Sequence, residues 1–147
     1  MTIGSQVADE ARLWIGTPYL HQASVRGAGT DCLGLLRGIW RVVNGSEPED
    51  VPVYTADWAE PSRDEVLLNA ARRWLVEKAD GPIEVGEVLL FRMREGSIAK
   101  HLGVLSATGT HPRFIHSYTG YGVIESSLST PWLRRIAARF AIPEGTK

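Results

Sequence analysis

The sequence predicts an α+β domain, with helices packed on one face of an antiparallel sheet. Two observations carry this. Apolar residues recur at helical spacing through the first half of the chain, and after Asp80-Gly81-Pro82 the period shortens to that of strands. A length of 147 residues adds that one domain, spanning 1–147, can bury a core without a disulfide or structural metal.

Ile3, Val7, Ala11 and Trp14 predict a first amphipathic helix, stopped at Ile15-Gly16-Thr17-Pro18. Residues 19–30 read as a loop with Gly27 and Gly29 near its end. A second helix is expected from Asp31 or Cys32 to Val43, with Leu35, Leu36, Ile39, Trp40 and Val43 as its stripe and Asn44-Gly45 as its stop. Residues 45–61, with Pro48, Pro52 and Pro61, read as an irregular connection. Ser62-Arg63-Asp64-Glu65 fits a capping box opening a third helix, lined by Leu67, Leu68, Ala71, Trp74 and Leu75. Strands are expected over 87–93, 101–106, 113–118, 122–126 and 136–142. In the last, Ile136, Ala138, Phe140 and Ile142 are expected to share a face. A short helical turn opens at Ser129-Thr130-Pro131. Trp14, Trp40 and Trp74 fall on helix stripes and read as core, whereas Trp58 and Trp132 are unassigned.

Sixteen Lys and Arg against seventeen Asp and Glu leave a net charge of −1, which excludes a strong whole-chain field for nucleic acid. No apolar run approaches the roughly 18 residues that span a bilayer. Met1–Trp14 carries Asp9, Glu10 and Arg12 rather than a basic segment before an apolar one, so it does not read as a secretory signal peptide.

Cys32, the single cysteine, is the most informative residue. In Asp31-Cys32-Leu33-Gly34 it falls in the first turn of a helix. There the helix dipole and unpaired N–H groups favour thiolate and can stabilise an oxyanion beside the sulfur. Gly34 would allow close approach by substrate or sheet. A lone cysteine is equally a buried packing residue, and only a nearby base decides between the two.

His101 and His116 lie on neighbouring predicted strands, with a turn signal at Thr108-Gly109-Thr110 between them. Antiparallel pairing could bring them side by side on one face, one ring bonding the other. Two ordinary strand histidines with satisfied hydrogen bonds would give the same pattern. His111 reads as a surface residue, and His21 as a loop residue without assigned chemistry. Zinc ligation by Cys32, His101 and His116 is the weaker alternative, because closely spaced ligand pairs are missing.

In order along the chain, Gly16-Thr17-Pro18-Tyr19, Asp31-Cys32-Leu33-Gly34, Gly86-Glu87-Val88-Leu89-Leu90-Phe91, His101-Leu102-Gly103-Val104 and Ile115-His116-Ser117 resemble the motifs of the NlpC-type cell-wall cysteine peptidases. The resemblance covers residues 5–142. The wording Thr-Pro-Tyr-Leu-His-Gln and Asp-Cys-Leu-Gly-Leu is most similar to the subgroup carried by phages and gene transfer agents. The resemblance implies a circularly permuted papain-like fold, with Cys32 as nucleophile, His101 as base and His116 orienting it. It also implies Tyr19 near the oxyanion and Asp31 meeting the amine of the stem peptide, beside a plain role for Asp31 as N-cap. It implies no cofactor. The substrate would be the peptidoglycan stem, cut at the γ-D-glutamyl–diaminopimelate bond. Partners would be phage-like tail proteins, with synthesis in the cytoplasm, assembly into a phage-like particle and action on the periplasmic wall. The sequence departs from the family at Leu33, where many members have Ser, and at His21-Gln22-Ala23, where many have Trp-Gly-Gly. Other thiol acyl chemistry (amidase, deamidase, acyltransferase) and a non-catalytic tail adaptor are the alternatives on this fold.

Overall fold

The computed structural model describes residues 2–48 and 64–144. The chain opens with α1 (Ile3–Leu13), capped by the Thr2 hydroxyl accepting from the Ser5 N–H. A two-stranded hairpin follows, β1 (Ser24–Val25) and β2 (Gly29–Thr30), and leads directly into α2 (Cys32–Asn44). Then come α3 (Val66–Trp74), β3 (Val76–Lys78), β4 (Val88–Arg92), β5 (Ala99–Ala107), β6 (Arg113–Tyr118), β7 (Gly122–Ser127), α4 (Thr130–Arg135) and β8 (Ile136–Ala141). The last six strands form one antiparallel sheet in the order β3-β8-β4-β5-β6-β7.

Strand alternation divides the core in two. Val88 and Leu90 of β4, Leu102 and Val104 of β5 and Ile115 of β6 face α1 and α2, where they meet Val7, Ala11, Trp14, Leu35 and Ile39. Leu89, Phe91, Leu105 and Phe114 point the other way and are covered by Leu128, Trp132 and Ile136. The helices therefore do not all sit on one face, since the turn of α4 closes the second. Ile136 belongs to this outer cluster while Ala138, Phe140 and Ile142 belong to the inner one. The expected shared face breaks because the ladder slips between Leu90 and Phe91, pairing Leu90 with Ala138 but Phe91 with Ile136.

The α1–α2 contact depends on Gly38, where a Cβ would run into the indole of Trp14. Of the other two tryptophans expected in the core, Trp40 and Trp74 are only half-buried, and the Trp40 indole N–H donates to the Ser46 carbonyl. Trp58 and the irregular connection lie outside the described residues, apart from 45–48.

The third helix starts at Val66 with Glu65 at its N-cap, so the capping box does not form; Ser62 and Arg63 lie outside the described residues. The carboxylate of Glu65 is engaged elsewhere. It accepts from Arg92 and from the Ala99 backbone N–H, both at 2.9 Å, and so pins the helix start to β4 and β5. The edge strand β3 carries no apolar alternation and pairs with β8, with Glu77 and Lys78 adding ion pairs to Arg72 and Glu84. Among the described residues, no helix is long and apolar enough to cross a membrane.

Candidate active site

The segment predicted as a loop is a hairpin, and it delivers the nucleophile candidate. Thr30 is its anchor: its N–H donates to the Pro18 carbonyl at 3.0 Å, and its own carbonyl accepts from Leu20 and, at 2.7 Å, from the buried Ser117 hydroxyl of β6. The chain just before α2 is thereby tied to the strand that carries His116. Gly34 is required for this arrangement, though not for substrate or sheet as the sequence suggested. A Cβ there would collide with the Ala23 carbonyl and the Thr30 hydroxyl. Gly34→Ala is therefore expected to cost about 1–3 kcal/mol of overpacking, read as a lowered denaturant midpoint at unchanged slope.

Asp31 is the N-cap of α2 and is 3 % exposed. One carboxylate oxygen accepts from the Gly34 N–H at 2.7 Å. The other accepts from the Gln22 N–H at 2.7 Å and lies 3.7 Å from Nδ1 of His21. Gln22 has φ +66°, a left-handed conformation that L side chains rarely adopt. The turn that aims this N–H at Asp31 is thus bought with backbone strain.

Cys32 is 7 % exposed and lines a cavity of about 280 Å³ together with Tyr19, Asp31, His101, Ser117 and Tyr118. Burial, and then the Asp31 carboxylate, push its thiol up to about 12, while backbone hydrogen bonding from Leu102, Leu33 and Cys32 itself pulls the other way. The helix start therefore does not yield a resting thiolate, contrary to the sequence expectation. Desolvation outweighs the dipole and the amide N–H groups. The Leu102 contact places the sulfur against β5 at the residue following His101.

His101 and His116 are bonded ring to ring, Nε2 to Nδ1, at 2.8 Å. They are not opposite one another. Val104 pairs with Ile115, so Gly103 stands beside His116 and His101 reaches across diagonally. Gly103 makes room for this, because a Cβ there would lie 3.1 Å from the His116 Cβ and 2.8 Å from the Phe114 ring. The second nitrogen of His116 meets the Ser126 hydroxyl at 2.9 Å. Aromatic rings enclose the pair: Tyr118 stacks on His116 at 5.3 Å, and Trp132 meets the same ring edge-on at 5.3 Å. Burial, and then the neighbouring His116, lower His101 to about 3, and burial lowers His116 to about 4. Both rings are neutral near pH 7. With Nε2 of His101 committed, Nδ1 is the nitrogen left for the cavity.

Both nitrogens of His116 are engaged within the sheet, so Cys32, His101 and His116 do not converge on a shared metal centre. Tyr19 lines the cavity and its side chain hydrogen-bonds Thr119; burial raises its phenol, with Cys32 and Asp31 adding to the rise. His21 also lines the cavity, and His111 is exposed. Sequence reasoning missed Ser126 and Trp132, whose roles depend on strand register and on the return of α4 over the sheet.

No protein-family model matches the chain. No curated protein matches it. Solved structures do. A lipoprotein-like protein of the NLP/P60 family from Staphylococcus aureus superposes with a TM-score of 0.60 at 17% identity, over 95% of this chain and 41% of that one. The NlpC/p60 domain of the peptidoglycan hydrolase SagA gives 0.59 at 21% identity, over 95% of this chain and 97% of that domain. The chain has the NlpC/P60 fold. A third structure, that of Ly7917, agrees with a TM-score of 0.61 at 12% identity, over 97% of this chain and 63% of the other. The chain thus spans less than half of the first of these proteins and nearly all of the SagA domain. The α+β papain-like architecture expected from the sequence is the NlpC/P60 one, with the cavity at the start of α2 and of β5.

Proposed function

We propose that this chain, as one peptidase domain over residues 1–147, is a cysteine hydrolase of peptidoglycan stem peptides. One observation carries the reading: Cys32 and His101 line one cavity, the sulfur meets the backbone of Leu102, and His101 is held from behind by His116. Cys32 is the nucleophile, His101 the base and His116 the group that orients it.

The neutral thiol and neutral imidazole set the order of events. Approach of the amide carbonyl lets Sγ attack as its proton passes to Nδ1 of His101. The carbonyl oxygen takes up the negative charge, faced by the N–H groups at the start of α2 and by the Tyr19 hydroxyl. The imidazolium of His101 returns the proton to the leaving amine. Water, deprotonated by the same ring, then adds to the thioester, and Sγ leaves and recovers its proton. Asp31, with its charge at the cavity, meets the amine of the stem peptide.

The γ-D-glutamyl–diaminopimelate bond is the proposed target, and assembly into a phage-like tail or gene transfer agent that opens the periplasmic wall is the proposed setting. Both rest on the resemblance of the motifs around Tyr19, Cys32 and His101. Purified protein incubated with sacculi should release soluble stem fragments, and mass spectrometry should find a new free amine and a new carboxylate at that bond. Cleavage at a different amide would move the substrate. Transfer to an added amine in preference to water would make the protein an acyltransferase.

A further inference from the structure

We infer that Ser126 is a positioning residue of this site: its hydroxyl oxygen accepts the His116 Nε2–H and so fixes the tautomers of both histidines, leaving Nδ1 of His101 bare toward the cavity that Cys32 lines. The inference deepens the reading of Cys32 and His101 as nucleophile and base, and rests on it for its catalytic consequence.

The contacts form a line across three adjacent strands. His101 on β5 bonds His116 on β6 at 2.8 Å, and His116 bonds Ser126 on β7 at 2.9 Å. Ser126 pairs with Phe114, two residues before His116, so this second step is also diagonal. A neutral imidazole carries one proton on two nitrogens. The His101–His116 bond therefore has only two arrangements. In the first, His101 Nε2–H donates to His116 Nδ1, the His116 proton sits on Nε2 and donates to Ser126, and Nδ1 of His101 is free to accept the thiol proton. In the second, every proton is moved one place: Ser126 donates to His116 Nε2, His116 Nδ1–H donates to His101, and Nδ1 of His101 carries a hydrogen and cannot act as a base.

The role of His101 as base selects the first, since only there is its Nδ1 bare. His116 is 0 % exposed, so a proton on its Nε2 needs Ser126 as its acceptor. Ser126 is partly exposed, so its own hydroxyl hydrogen can turn to water. After proton transfer, the imidazolium of His101 still donates Nε2–H to His116, whose polarisation is passed on to Ser126.

The test uses full-length protein labelled with ¹⁵N-histidine, the ring protonation sites of His101 and His116 being read by long-range NMR near pH 7. Wild type should show hydrogen on Nε2 and none on Nδ1 in both rings. Ser126→Ala should shift His116 toward the Nδ1–H form and lower kcat on sacculi about tenfold at unchanged KM, the loss of one buried hydrogen bond. Ser126→Thr, which keeps the hydroxyl, should restore both. Finding His116 protonated on Nδ1 in wild type, or Ser126→Ala unchanged in tautomer and kcat, would overturn the inference. Should wild type release nothing from sacculi, the enzyme assignment fails while the NMR result still decides what Ser126 does.

Discussion

Cys32→Ala is expected to abolish release of stem fragments from sacculi, by at least about 10⁴-fold, with the fold retained. In the proposed mechanism the Sγ atom forms the covalent intermediate, and water has no comparable path to the carbonyl once that step is gone. Cys32→Ser should be nearly as inactive. His101, lowered to about 3 by burial and its neighbour, is a weak base. Such a base can accept a thiol proton as attack proceeds but is poorly matched to the more basic alkoxide of serine. Both variants remove little packing, since Cys32 lies at the cavity wall. Circular dichroism and thermal melting should therefore match wild type closely. Release within tenfold of wild type by a folded Cys32→Ala protein would remove Cys32 from the chemistry.

Acidification is expected to unfold the protein through the same histidines. In the unfolded chain both titrate near 6.5, while in the folded protein burial holds them at about 3 and about 4. Between those limits the unfolded state binds more protons, so stability falls as pH falls below about 6.5. By pH 4 each ring has lost roughly 3 kcal/mol of this stabilisation, at 1.36 kcal/mol per unit below 6.5. The two rings share a hydrogen bond, so the sum is reduced, to on the order of 5 kcal/mol by pH 4. That is comparable to the whole stability of many domains. The thiol acts at the other end: it ionises near 9 in the unfolded chain and at about 12 when folded, so stability also falls as pH rises above about 9. Melting temperature measured from pH 4 to 10 should therefore show a plateau between about 6.5 and 9. A His101→Gln, His116→Gln double variant should have a shallower acid limb. An unchanged wild-type melting temperature down to pH 4.5 would mean that the rings are not held neutral by burial.

The elements with strong periodicity were legible in the sequence. Helices α1 and α2 and strands β4 to β8 follow from apolar spacing, with β6 falling on its predicted bounds of 113–118. The hairpin at 24–30 was hidden because two-residue strands carry no period, and β3 because its three residues show no apolar alternation. Glu65 satisfied a capping pattern by type, yet its carboxylate found Arg92 and Ala99 across the fold. The histidine pair was foreseeable from two strands and a turn, but its diagonal geometry needed the register, and Ser126 needed the next strand as well. The thiol shows the general limit. A helix start can be read from Asp31-Cys32, whereas the burial that outweighs it arises only when distant segments close around the sulfur.

The hydrogen bonds that join Thr30 to Ser117 and the Gly16–Thr17 turn to Val123 have a consequence for biosynthesis. Emerging from the ribosome, the segment through α2 carries its sulfur without His101 or His116. The proposed base, His101, arrives about 70 residues later, and Ser126 later still. On the proposed mechanism, a chain interrupted before His101 carries a nucleophile candidate without its base, and the site is complete only once β5, β6 and β7 have been added.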